Sequence, residues 1–313
     1  MLGSIWEDVK REFDYGNMVT RIIIINVAVF VLLNLIWVIL RIASGWETPP
    51  VFKSIQHFFM MSSDWWHNLT HPWVILTHMF LHKGFWHILW NMLFMYWFGR
   101  IVGDFIGNQR ILPIYLLGGI VGGIFYFISA NVLPIYGDST SYALGASAAV
   151  MAIVAAAGAI APDYVIRLLF LGDIKLKYIV AALILLDLIG FAGDINTGGH
   201  IAHLGGAVFG FLFVRQLRAG KDWAQPVNDL IDRIRQFFNS LNRTSPAARR
   251  KGPRVVYRNT SKKPRSRKGS AVSDSEDLSH QEKLDAILDK IKRSGYDSLS
   301  EAEKEFLFNA SKK

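Results

Sequence analysis

From residue 22 to residue 40 the chain runs IIIINVAVFVLLNLIWVIL, 19 residues without a charge. Coiled as an α-helix at about 1.5 Å per residue, a run of that length covers the ~30 Å hydrocarbon core of a bilayer. Such a segment has no polar face to turn toward water, so it constrains the whole chain to a membrane fold. Five more apolar segments follow, at residues 86–106, 111–133, 142–161, 178–192 and 200–214. The last two are short for a span, but lipid accommodates short spans by local thinning. The expected fold class is an all-α polytopic membrane protein, a six-transmembrane-helix bundle. The polar, acid-containing residues 1–21 lack the basic start of a signal peptide, and no small-residue cleavage site follows, so the first span is expected to be retained.

Charge placement orients the bundle. Lys and Arg concentrate on alternate connections: Lys10, Arg11 and Arg21 before the first segment, Arg100 and Arg110 between the second and third, Arg167, Lys175 and Lys177 between the fourth and fifth, and Arg215, Arg218 and Lys221 after the sixth. Residues 134–141 and 193–199 carry none, whereas the long 41–85 connection carries three. By the positive-inside rule both termini are cytoplasmic, in what is expected to be a bacterial inner membrane, and segments two, four and six descend from the outer side. Within 41–85 the indoles of Trp65, Trp66 and Trp73 suit the outer membrane–water interface.

The net charge of +9 belongs to the tail. Residues 215–313 hold 23 of the 34 Lys and Arg but only 13 of the 25 acids, leaving the membrane body nearly neutral. The sequence divides into a cytoplasmic N-terminal segment (1–21), a six-helix membrane domain (22–216), an amphipathic helix (217–242), a basic disordered linker (243–278) and a small helical hairpin (279–313). Val227, Leu230, Ile231, Ile234, Phe237, Phe238 and Leu241 form the stripe of that amphipathic helix, with Pro226 in its first turn. Residues 243–268 contain eleven Lys/Arg and no acid among Pro, Ser and Gly. Beside a membrane domain that composition points to anionic lipid or a partner protein rather than nucleic acid. Ser279 with Glu282, and Ser300 with Glu303, have capping-box spacing.

Polar residues are costly inside apolar segments, so the few present are candidates for function. His87 and Asn91 lie four apart on one face early in segment two. Ser147 lies early in segment four, and His200 and His203 open segment six ahead of Gly205, Gly206 and Gly210. Because all three segments descend from the outer side, these groups meet at one shallow depth. A hydroxyl, an imidazole and an amide at one depth are the parts of acyl transfer: nucleophile, general base and oxyanion donor. Without cysteine, thiolate catalysis and Cys-ligated metals are excluded. Zinc held by His78, His82 and His87, or by His200 and His203, is disfavoured, since no H-E-x-x-H string occurs and no carboxylate shares their helices. An aspartyl mechanism needs two buried acids, and Asp187 alone lies well inside a segment. Asp187 has two readings, orientation of a histidine or structural bonding between helices.

His87-Ile-Leu-Trp-Asn91, Gly145-Ala146-Ser147 and Ala202-His203-Leu-Gly-Gly206-Ala-Val-Phe-Gly210 resemble the H-x-x-x-N, G-x-S and A-H-x-x-G-x-x-x-G motifs of rhomboid intramembrane serine proteases. They fall in order on helices two, four and six, and the resemblance covers roughly residues 20–216. It implies a rhomboid-like bundle with Ser147 as nucleophile, His203 as general base and acid, and His87 and Asn91 at the oxyanion. Met151, His200 and Gly145 are supporting candidates. The implied substrates are single-span transmembrane proteins, with no cofactor and no metal. The alternative is a non-catalytic relative that binds transmembrane helices. Three departures stand out. Trp73-Val74 replaces the usual Trp-Arg, which weakens headgroup anchoring of that loop; Ala148 follows the serine where Gly is common; and Met151 stands where a Tyr commonly packs on the histidine.

Overall fold

The computed structural model describes residues 2–47, 49–134, 140–168, 172–193, 196–241 and 280–310. Over these residues the chain is mostly helical. It divides into a unit spanning Met1–Pro246 and a second unit spanning Ala247–Lys313.

The first unit opens with α1 (Leu2–Tyr15), an amphipathic helix that exposes Trp6 and Phe13, followed by α2 (Met18–Ala43). Asn17 caps α2 by accepting from the Thr20 N–H at 2.9 Å, and Gly45 and Trp46, both at positive φ, end it. The next connection folds into α3 (Pro50–Phe59), β1 (Met61–Ser62), α4 (Trp65–Thr70), α5 (Val74–Thr77) and a 3₁₀ turn at His78–Phe80. Trp73 is stapled inward by donating its indole N–H to the Phe58 carbonyl at 2.7 Å, and Val74 is fully buried. Position 74 therefore packs the loop onto the bundle, which explains an apolar residue there.

Five helices complete the bundle core. They are α6 (Phe85–Ile106), α7 (Ile111–Val132), α8 (Ser147–Ile160) and, after β2 (Tyr142–Ala143) and the hairpin β3 (Val165–Leu168)–β4 (Gly172–Lys175), the pair α9 (Leu176–Phe191) and α10 (Thr197–Arg218). β1 and β2 pair antiparallel, Met61 opposite Ala143 and Ser62 opposite Tyr142. Residues 142–143 thus leave the fourth apolar segment as strand, and its helix begins at Ser147. Among the described residues three helices are long and apolar enough to cross a membrane: Met18–Ala43, Asn108–Val132 and Thr197–Arg218.

The 14 residues of α8 reach only about 21 Å, and every residue from Ala148 to Ala157 is buried. Its Ala-rich surface lets neighbours touch backbone. A Cβ added at Gly206 or Gly210 of α10 would land on the carbonyl oxygens of Ala148 and Ala152, and one at Gly118 or Gly122 of α7 would strike the methyls of Ala152 and Ala148. Small residues four apart on both flanking helices make this fit, the device that lipid-embedded helices use for close contact. Deeper in the interface of α2 and α7, buried Asn26 donates to the Tyr115 hydroxyl at 3.2 Å, and that hydroxyl donates to the Met79 carbonyl at 3.0 Å. At the other end Arg110 pairs with Asp222 at 2.7 Å, and Asp222 caps α11 (Ala224–Leu241) by accepting from the Ala224 N–H. On α11, Leu230, Ile234, Phe237 and Phe238 are exposed.

In the second unit α12 (His280–Ser294) and α13 (Glu301–Ala310) form a hairpin. Glu303 accepts from the Ser300 backbone N–H at 2.7 Å and gives its own N–H to the Ser300 hydroxyl at 3.4 Å, a reciprocal capping box. Ser279 and the basic run 243–268 lie outside the described residues.

Two outcomes follow. Gly206→Val should lower stability by about 2–3 kcal/mol through overpacking against backbone that cannot yield. Gly84→Ala, where nothing lies within 4 Å of the new methyl, should change thermal unfolding in detergent by less than about 0.5 kcal/mol. In the hairpin, the Lys290 ammonium and then the Ser300 N–H hold the Glu303 carboxyl down at about 2, from 4.5. A depressed carboxyl supports the fold above its unfolded value and loses that support as pH falls. Amide protection at the start of α13, corrected for intrinsic exchange, should therefore be flat above about pH 5 and fall below 4.5 toward 2. Glu303→Gln should remove that dependence.

Candidate active site

Ser147 is the first residue of α8, so its N–H is one of the helix's unsatisfied donors and the positive end of the helix faces it. The preceding strand is held from behind, where the Gly145 N–H donates to the His78 carbonyl at 2.9 Å. Gly145 has φ +130°, and a Cβ there would lie 2.9 Å from the His87 ring. Glycine is required twice over at this position, for its conformation and for the space that His87 occupies.

A cavity of about 620 Å³ gathers Ser147, His203, His87, Asn91, Met151 and Asp187. Its walls are apolar, from Trp86, Trp90 and Phe94 of α6 and Leu183 and Leu186 of α9. Ser147 also lines a second, smaller cavity of about 280 Å³ bounded by Ser141–Gly145 and by Asn196–Gly199. The four predicted reacting residues thus surround one space, at the end of the bundle opposite Arg110 and Arg218. The latter donates to the Ala159 carbonyl at the far end of α8.

The hydrogen bonds assign the rings. His203 Nδ1 lies 2.8 Å from Asp187 Oδ1, and His200 Nδ1 lies 2.8 Å from the same oxygen. A carboxylate oxygen only accepts, so both rings carry their proton on Nδ1, and the His203 Nε2 lone pair is left available. The backbone N–H of Lys83 approaches His87 Nδ1 at 3.4 Å, which favours a proton on His87 Nε2; the Cε1–Nε2 edge of the ring faces Gly145. Asn91 donates one amide hydrogen to the His87 carbonyl at 2.8 Å and keeps a second.

Of the two readings of Asp187, the geometry shows a bond to both histidines. The acid comes from a different helix, 13 and 16 residues upstream, so it carries no local motif. His82, weighed from the sequence only as a zinc ligand, packs against the site instead. Both its ring nitrogens are buried without a hydrogen-bond partner, and its ring meets the His87 ring edge-on at 5.1 Å. Burial first, then the neighbouring His87, pushes the His82 pKa down to about 4, so it packs as a neutral wall. Among the described residues His78, His82 and His87 do not gather into a cluster of metal-ligand atoms; His78 Nδ1 lies 2.8 Å from the Val74 carbonyl. Among the described residues one cluster has three metal-ligand types together: Asp187, His200 and His203. Ala148 fills the gap against Gly122, and Met151 is buried beside the cavity.

Residues 69–219 match a family model described as the Rhomboid domain, and residues 274–313 match a family of unknown function, DUF6576. The presenilin-associated rhomboid-like protein, mitochondrial, of Homo sapiens is 27% identical over 203 residues, covering 64% of this chain and 48% of its own. Rhomboid protein 1, mitochondrial, of Saccharomyces cerevisiae is 28% identical over 201 residues, 63% of this chain and 52% of its own. Rhomboid protease GluP of Bacillus subtilis is 31% identical over 164 residues, 52% of this chain and 29% of its own. The chain spans about half the length of the mitochondrial relatives. A membrane protein is supported, while the relatives carry both mitochondrial and bacterial names and so do not bear out a bacterial inner membrane in particular. The domain match over residues 69–219 and these relatives support membership of the rhomboid family, which contains intramembrane serine proteases.

Proposed function

We propose that the chain is an intramembrane serine endopeptidase with six spans, α2 and α6 to α10, that cleaves transmembrane-helix proteins. Both termini lie on the Lys/Arg-rich side. The observation that carries this is one cavity lined by a helix-initiating serine, a histidine with a free Nε2, and two further donors. Apolar walls suit entry of a substrate helix, and the polar groups at its base suit an unwound peptide.

Ser147 Oγ attacks the scissile carbonyl while His203 Nε2 takes its proton. The tetrahedral oxyanion is met by the Ser147 N–H, His87 Nε2–H and the remaining Asn91 amide hydrogen. Collapse breaks the C–N bond as His203 returns the proton to the leaving amine. Water activated by the same nitrogen then releases the acid. Asp187, bonded to His203 Nδ1, is a positioning residue: it fixes the tautomer and steadies the imidazolium that forms. The alternative of a non-catalytic helix-binding relative predicts a serine that is inert to electrophiles.

In proteoliposomes, Ser147→Ala and His203→Ala should each lower cleavage of a single-span substrate by about 10³-fold or more, and His87→Ala by about 10²-fold. Asp187→Asn should depress kcat by about 10²-fold with KM within twofold and slow fluorophosphonate labelling of Ser147 in parallel, with Asp187→Glu recovering part of both. Folded wild-type protein that never labels would overturn the protease in favour of the helix binder.

A further inference from the structure

One carboxylate serving one histidine is accounted for by the chemistry above; the second histidine is not. His200 brings its Nδ1 to the same Asp187 oxygen at the same 2.8 Å, though nothing in acyl transfer calls for a second imidazole there. The sequence places His200 and His203 three apart on one face of α10 but supplies no acid in that helix. The fold supplies it from α9. Three donors of metal-ligating type then lie within 4.8 Å of one another.

We infer that Asp187, His200 and His203 form a binding site for a zinc-class divalent cation, and that filling it switches the protease off. The second half rests on the function proposed above; the first does not. Two imidazoles and one carboxylate form a donor set for zinc and its borderline neighbours, with a fourth tetrahedral position left for water. Magnesium and calcium, which need six or more oxygens, are poorly served. The donors are held in advance. The His200 ring packs on Gly190, where any Cβ would collide with it. Access exists, because Asp187 and His203 line the larger cavity and the side chains of His200 and His203 retain 24% and 19% exposure. Ligand atoms about 2.0–2.2 Å from zinc stand roughly 3.3 Å apart, so each Nδ1–Oδ1 separation of 2.8 Å needs to lengthen by only about 0.5 Å, from donors that already lie within 4.8 Å of one another.

The consequence follows from proton counting. Each neutral imidazole holds one proton, now on Nδ1 and given to Asp187. A cation bound at Nδ1 needs that lone pair, so the proton must reappear on Nε2 through solvent, with no net change in protons. His203 then presents Nε2–H to Ser147 and has no lone pair to take the hydroxyl proton. Asp187 meanwhile spends its charge on the cation instead of on the imidazolium. Binding therefore leaves nucleophile and oxyanion donors in place but removes the base.

The test begins with the full-length Ser147→Ala chain in detergent, where catalysis plays no part. Titration with Co²⁺ should give one equivalent with tetrahedral visible bands, displaced by Zn²⁺. His200→Gln and Asp187→Asn on that background should each weaken binding at least tenfold, and His67→Gln should leave it unchanged. In the active chain, Zn²⁺ should suppress fluorophosphonate labelling of Ser147 at the concentration that fills the site. A chelator should reverse the effect, and His200→Gln should raise the required Zn²⁺ at least tenfold. No saturable Co²⁺ spectrum, or one that survives both His200→Gln and Asp187→Asn in folded protein, refutes the site. A filled site with undiminished labelling refutes the switch. A chain that binds Co²⁺ as described yet neither cleaves nor labels when metal-free sinks the protease and leaves the cation site standing.

Discussion

The bundle is organised by backbone contact at α8. In lipid, burying apolar side chains gives little drive for helices to associate, because the surroundings are apolar already. What remains is close packing, and α8 is made for it: ten consecutive buried residues, mostly alanine, flanked by glycines of α7 and α10 whose missing side chains leave room for its carbonyls and methyls. That contact also sets the register of the chemistry. Gly206 rests on the Ala148 carbonyl, with His203 one turn earlier on α10 and Ser147 one residue earlier on α8. A slip of one turn at this interface, about 5.4 Å, would change which residues of α10 border the cavity that Ser147 lines.

Around that axis several polar groups are satisfied in pairs and threes. Asn26, Tyr115 and the Met79 carbonyl tie α2 and the long loop to the core. The His78 carbonyl supports the strand that leads to Ser147. Asp187 answers two histidines at once. Each tie joins residues distant in sequence, so losing one partner strands another in apolar surroundings, where an unmet polar group is expensive.

Much of this was legible in the chain. Apolar run length and Lys/Arg asymmetry pointed to helices in a membrane, and the depth argument united His87, Asn91, Ser147 and His203 before any coordinates. The parts that stayed hidden share a cause. Asp187 acts on residues of the next helix, and only the angle of the α9–α10 hairpin decides which atoms it meets. Residues 142–143 read as the start of a span because Tyr and Ala are apolar, yet they pair with Met61 and Ser62, a long-range contact that no local period reports. The exposed aromatic face of α1 was masked by acids and lysine on its other side, which lowered the average over a segment too short to show its period.

Ser147 borders two spaces of opposite character, one walled by tryptophan, phenylalanine and leucine, the other by loop backbone around Asn196–Gly199. Peptide hydrolysis needs both kinds of surroundings in turn: a greasy one to receive the chain to be cut, and a wet one to supply the water that finishes the cut. In the proposed protease, a serine on the divide between them would give each reactant its own door. Traffic through one need not wait for the other to clear.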